Sequence, residues 1–348
     1  MDNNVVRAIL ISVLSLIMLL TTVLPPYDVV LLPLKQRLMP NFHGHGFQGR
    51  DVFGMISNQP WLFWRNTGET ITSFLQLVND MSPVLLRLTV HGQPRIRQRR
   101  NKINITNQIL LVLIWLRKYP HCDNLALWFD IDPSSVVRII YKVVPELWQY
   151  FSNQIQWPNP QYWINLRGNW PEFPNGVGSV DSTPHEIYCP LTEPQRLFYS
   201  GHRHYHCMNT QLVVDNQNHL RYVHAGFLGS THDARSYRLM TPIGPGRPLD
   251  LPHGLSLLAD RAYPDGGPLT TAVRAIQMHL LNRRGRRRAR KFNRSLARRR
   301  IKIEHIFKEM KTYKCIGSIW RHPRWLLPPC VELVAFLAER RVRLFANI

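Results

Sequence analysis

The chain is 348 residues long, 45% hydrophobic, and carries 44 Lys+Arg against 22 Asp+Glu, a formal net charge of +22. That apolar content, with ten Trp, excludes a disordered chain, and the length admits two domains. The charge implies a polyanionic partner, nucleic acid first and an anionic membrane surface second. Five Cys at irregular spacings, with no CxxC pair, fit reduced thiols better than a disulfide framework.

The first 40 residues are read as an apolar segment. Residues 8–24 carry no charge, a length borderline for a membrane span, which needs about 20 residues. A packed helix and membrane association both stand as readings of it. Residues 41–150 read as a helical domain. Residues 60–90 have a helical apolar pattern broken at Gly68 and Pro83, a basic link RIRQRRNK follows at 95–102, and 105–120 form an apolar helix stopped by Pro120.

Residues 121–144, HCDNLALWFDIDPSSVVRIIYKVV, predict two helices joined by a tight turn at Asp130–Ile131. Asp123 is a candidate cap for the first helix, and Leu125, Leu127, Trp128 and Phe129 are expected to face inward or toward the partner helix. Asp132 is placed as N-cap of the second helix with Pro133 at its first position, where proline is tolerated. Val136, Val137, Ile139, Ile140 and Val143 form its buried stripe. Ser134, Ser135, Arg138 and Lys142 are left on the outer face as candidate DNA contacts. This is the layout of a helix-turn-helix that docks its second helix in a major groove. An ordinary helical hairpin is the bland alternative.

From residue 151 to 348 the pattern is that of an α/β domain. GVGSVDSTPHEIYCP (176–190) predicts a strand rising to Asp181, a turn at Ser182–Pro184 and a second short strand. HYHCMNTQLVVDNQNHLRYVHAGF (204–227) predicts a hairpin turning at Asp215–Asn216. Asp233 opens a helical stretch. GLSLLADRAYP (254–264) reads as a core strand ending in Asp260. Residues 266–303 hold 13 Lys or Arg and no acid. Glu304 follows on a helix whose apolar stripe is Ile303, Ile306, Phe307 and Met310, on the flank with Arg300, Lys308 and Lys311.

Such elements can bring three Asp and one Glu to one sheet edge. Carboxylates from distant stretches suit hard divalent cations, Mg²⁺ or Mn²⁺, that activate an attacking oxygen and stabilise the leaving oxygen of a phosphodiester. Each acid also has an ordinary role open to it: an Asx-turn for Asp181, a helix cap for Asp233, a pair with Arg261 for Asp260, and a pair with Lys308 for Glu304. His202, His204 and His206 alternate, as zinc ligands or phosphate contacts on one strand face would. RRGRRRARK (283–291), with Arg286, Arg287 and Arg288 at its centre, reads as a DNA clamp, a nuclear localisation signal or a solvated loop.

Several blocks resemble the PIF/Harbinger transposases and the host nucleases derived from them. They are GSVDSTPHEI, FYSGHRHYHCMNTQLVVDNQNHLRYVHAGFLGSTHDARSYR, LLADRAYP and KFNRSLARRRIKIEHIFKEMKTYKCI, in that order, and the resemblance spans roughly residues 100–340. It implies a ribonuclease-H-like domain of the DDE nuclease type (named for its Asp-Asp-Glu triad), preceded by an α-helical helix-turn-helix domain. It further implies a metal-dependent DNA endonuclease or transposase-like activity on double-stranded DNA, with Asp181, Asp233, Asp260 and Glu304 as metal ligands and catalytic acids. A domesticated DNA-binding protein without cleavage is the alternative. A separate DNA-binding partner protein and a homo-oligomer stay open. Location in the nucleus is expected, with membrane association through residues 8–24 as the alternative.

Overall fold

The computed structural model describes residues 46–88, 102–264 and 266–346. The apolar segment at 8–24 and nearly all of the basic link at 95–102 lie outside the described residues. No helix among the described residues is long and apolar enough to cross a membrane.

Among the described residues three helices come first: α1 (Val52–Ile56), α2 (Pro60–Thr67) and α3 (Ile71–Arg87). Gly68 ends α2 with φ 82°, a left-handed C-cap that glycine adopts without a Cβ penalty. Pro83 lies within α3 and does not end it. The apolar helix α4 (Ile105–Lys118) is buried on nearly every side. It is the centre of the helical region, and such all-round burial explains why its apolar residues show no polar face.

α5 (Cys122–Phe129) and α6 (Pro133–Ser152) form the expected pair. Asp130 turns the chain in left-handed conformation (φ 51°), and the Asp132 side chain accepts from the Ser134 amide at 2.8 Å. His121, not Asp123, occupies the N-cap of α5; Asp123 lies in its first turn. Leu125 and Phe129 are buried, but Leu127 and Trp128 are exposed. The reason is helical spacing: 125 and 129 share a face, whereas 127 and 128 turn away from it.

β1 (Gly176–Glu186) follows a short helix α7 (Pro160–Asn165). It is one 11-residue strand, so the expected turn at Ser182–Pro184 does not occur. A short helix α8 (Gln195–Phe198), β2 (Tyr199–Ser200), the hairpin β3 (Tyr205–Asp215) and β4 (Leu220–Leu228), helix α9 (Asp233–Leu239), a small two-stranded pair β5 (Ile243–Gly244) and β6 (Leu249–Asp250), then β7 (Ser256–Leu258) and β8 (Leu269–Thr270) complete the strands. Helices α10 (Ala275–His279), α11 (Arg283–Met310), α12 (Lys314–Gly317) and α13 (Leu327–Ala346) close the chain.

The main sheet runs β2-β3-β1-β7-β8, with β4 also on β3. β1, β3 and β4 are antiparallel neighbours, while β1, β7 and β8 are parallel. This mixed sheet between helices is the ribonuclease-H-like arrangement. β7 pairs with β1 only as far as Ser179. Beyond it no strand pairs with that edge among the described residues until the Glu186 carbonyl accepts the Trp320 amide at 2.9 Å, which is why Pro184, lacking an amide hydrogen, is tolerated inside the strand.

Alternation along β3 sends Leu212 and Val214 into one apolar core and Val213 into another. The first core is continuous from Phe63 and Phe74 through α4 and α6 to α13. The second lies under Trp163, Val180, Leu257 and Tyr263. The sheet is therefore packed on both faces. The five cysteines are free thiols.

Candidate active site

Asp181 lies opposite Leu212 on β3, two residues past the last β1–β7 pair. Asp260 follows the end of β7 by two residues. Asp181 thus lies within β1 just past the point where β7 stops pairing with it, and Asp260 just past the end of β7, so the two face one edge of the sheet. α11 crosses this edge. Its 28 residues make a rod about 42 Å long, and Arg300 on its inward face is buried.

The Arg300 guanidinium binds Asp181 Oδ2 at 2.6 Å and lies 3.8 Å from Asp260 Oδ1. Two carboxylates therefore converge on one positive charge. Asp181 also accepts the Ser182 amide at 2.9 Å. Burial raises its pKa to about 6, against the lowering pull of Arg300, and the Asp260 and Asp233 charges push in the same upward direction. Asp260 is not paired with Arg261; it accepts only that residue's amide, at 2.6 Å.

Asp233 is the first residue of α9, not its cap. His232 is the N-cap, and its ring accepts from the Ala234 amide. Asp233 instead accepts a hydrogen bond from the Ser182 hydroxyl. Gly229 brings this segment in: a Cβ there would lie 2.5 Å from the Cys207 carbonyl oxygen, so no other residue permits the approach. Ser182 stands opposite Gln211, and Gln211 accepts from the buried Tyr263 hydroxyl at 2.8 Å. The carboxylates of Asp181 and Asp233 are thus near enough to influence each other but are gripped by different partners.

Glu304 is exposed on α11, one turn beyond Arg300. It forms no ion pair among the described residues, with Lys308 or otherwise. Among the described residues no three His, Cys, Asp or Glu side chains are grouped to hold a metal ion. Asp260 and Asp233 each act on the charge of Asp181, without forming a three-acid cluster; Glu304 is not joined to them. The donor chemistry nonetheless fits Mg²⁺ or Mn²⁺, because Mg²⁺ is typically held by one or two carboxylates plus water and substrate phosphate. Asp181 and Asp260 already share one cation, the Arg300 guanidinium. Sequence reading missed Arg300, because its helical position put it on a solvated flank; the signal available was its spacing of four before Glu304.

Other candidates divide. His202 and His204 lie in a turn before β3 starts at Tyr205, and His204 has φ 61°. The three alternating histidines therefore do not line one strand face. On α6, Ser135 is half-buried and Arg138 exposed. Ser134 is half-buried and its hydroxyl donates to Asp132. Lys142, expected on the outer face, is 4% exposed; it points to the same side as Ile139 and Val143 and acts on Glu146. Arg286, Arg287 and Arg288 are exposed on α11, a helix and not a loop.

The site thus combines a mixed α/β sheet, two acids near the last β1–β7 pair and a long crossing helix, and a helix-turn-helix-like pair precedes it. Residues 180–338 match the family model for DDE superfamily endonuclease, and residues 101–152 match that for the helix-turn-helix of DDE superfamily endonuclease. A probable transposase for insertion sequence element IS702, from Microchaete diplosiphon, is 25% identical over 227 residues, covering 64% of this chain and 76% of that protein. No solved structure matches. These similarities are to the superfamily; the narrower PIF/Harbinger grouping rests on the sequence blocks alone.

Proposed function

We propose that the protein is a divalent-metal-dependent DNA endonuclease of the PIF/Harbinger type, with Asp181, Asp260 and Glu304 as its acidic set and Asp233 as an accessory acid. The observation that supports this most is the convergence of Asp181 and Asp260 on a single cation next to the last β1–β7 pair. Bound Mg²⁺ or Mn²⁺ would stabilise charge on the attacking and leaving oxygens of a phosphodiester. Asp181 and Asp260 would hold it. Glu304, one turn from Arg300 on the same side of α11, would approach from the helix. Asp233 acts through Ser182, the residue next to Asp181, and orients that end of β1. Ser135 and Arg138 reach toward base edges and phosphates from α6, and the basic helix α11, which carries Arg286, Arg287 and Arg288, holds backbone. Double-stranded DNA is the partner, in the nucleus; a partner protein or a second copy is compatible with this arrangement.

The test is nicking of supercoiled plasmid with Mg²⁺ or Mn²⁺ by wild type, Asp181→Asn and Asp260→Asn. Cleavage by wild type alone is expected. One observation favours a second reading, a DNA-binding protein without cleavage: Arg300 already pairs with both acids. Binding without nicking by wild type would decide for that reading.

A further inference from the structure

Arg286, Arg287 and Arg288 are consecutive, and consecutive residues on a helix point about 100° apart. They therefore splay over three directions and cannot grip one surface together. The face of α11 opposite its buried stripe has a different membership. Ala289, Leu296, Arg300, Ile303 and Met310 face inward. Opposite them, at helical spacing, stand Arg283, Arg284, Arg287, Arg290, Lys291, Arg294, Arg298 and Lys302. All eight are exposed. No acid lies between residues 283 and 302. None of the eight forms an ion pair among the described residues; Glu172 is taken by Arg299, with a weaker pull from Arg298.

Like charges three and four apart on a helix repel by a few tenths of a kcal/mol each. A helix that stacks eight of them on one side is poorly stabilised by itself. An array of fixed anions at regular spacing removes that cost. The ridge is about 28 Å long. Along duplex DNA, with one phosphate per 3.4 Å of each strand, that length spans about eight base pairs. Exposed guanidinium groups suit bidentate phosphate contact.

We infer that this eight-residue face of α11 is a second, sequence-independent docking surface for the backbone of double-stranded DNA, separate from the helix-turn-helix. It rests on the reading of DNA as the partner and deepens it, because it names which cations act together. In this arrangement α6 selects sequence and α11 anchors the duplex while its inward face holds Arg300 against the acids. The contiguous arginine triplet is not the functional unit; the face is.

The experiment measures binding of full-length protein to a 20-base-pair duplex of arbitrary sequence in EDTA across a salt series. The ridge variant is Arg287→Gln/Lys291→Gln/Arg294→Gln. A charge-matched control is Arg50→Gln/Arg196→Gln/Arg247→Gln, three exposed cations elsewhere. The ridge variant should lose about 2.7 from the slope of log K against log salt, at about 0.9 per phosphate contact. Its affinity should fall at least tenfold, with the control within threefold of wild type. Equal losses in the two variants would overturn the inference, since net charge alone would then explain binding. So would unchanged DNA binding by the ridge variant, or loss confined to phosphatidylserine vesicles. Because EDTA removes cleavage, a ridge effect in a protein that never nicks DNA would refute the proposed catalysis and leave this inference standing.

Discussion

Arg300 places a guanidinium nitrogen 2.6 Å from the Asp181 carboxylate, with both side chains largely withdrawn from water. Breaking one partner of such a pair leaves an uncompensated charge, at a typical cost of about 3–5 kcal/mol. Asp181 can escape part of that by taking up a proton, since burial already raises its pKa to about 6. Arg300→Gln is therefore expected to lose about 2 kcal/mol at pH 7.5 and much less at pH 5, in urea unfolding without metal. Mn²⁺ should raise the melting temperature of the variant more than that of wild type, because the guanidinium no longer competes for the acids. Equal stability losses at both pH values would count against a charged Asp181 as the cause.

Asp233 accepts from Ser182 and caps nothing. Asn in its place retains an acceptor oxygen but no charge. Asp233→Asn should shift stability by under about 1 kcal/mol, the scale of one neutral hydrogen bond, while plasmid nicking falls by an order of magnitude or more. Nicking at the wild-type rate would remove Asp233 from the acidic set.

His185 is buried, with Nε2 unpartnered, and burial together with Lys311 lowers its pKa to about 4. A folded-state pKa below the unfolded value of about 6.5 means that the unfolded chain takes up the proton first. Stability from this group is present above pH 6.5 and is lost as pH falls toward 4, by roughly 3 kcal/mol. His185→Gln should flatten the wild-type stability curve across pH 4 to 6.5. Parallel curves for the two proteins would show that another group carries the acid sensitivity.

Arg138 and Lys142 lie one turn apart on α6 but differ in burial. Arg138→Ala should weaken selective DNA binding several-fold and leave the melting temperature within a degree or two. Lys142→Ala should do the reverse. Its side chain is buried, so its loss should cost about 1–2 kcal/mol, with DNA affinity retained. Gel-shift titration beside thermal melting separates the two outcomes.

Local chemistry determined much of this protein. The Asp130 turn, the Asp132 cap with Pro133 behind it, the β3–β4 hairpin and the start of α9 at Asp233 all follow from short-range preferences, and the structure contains each of them. The acids were visible too, because four carboxylates in separate blocks stand out in a chain of net charge +22. Long-range packing decided the rest. Pro184 reads as a turn signal until the short β7 leaves the β1 edge open beside it. Lys142 reads as solvated because lysine usually is, yet the packing of α6 against its neighbours buries it. Arg300 reads as one cation in a basic run. Only the crossing of α11 over the strand ends turns it toward Asp181 and Asp260, because which cation meets which acid depends on where distant elements pack.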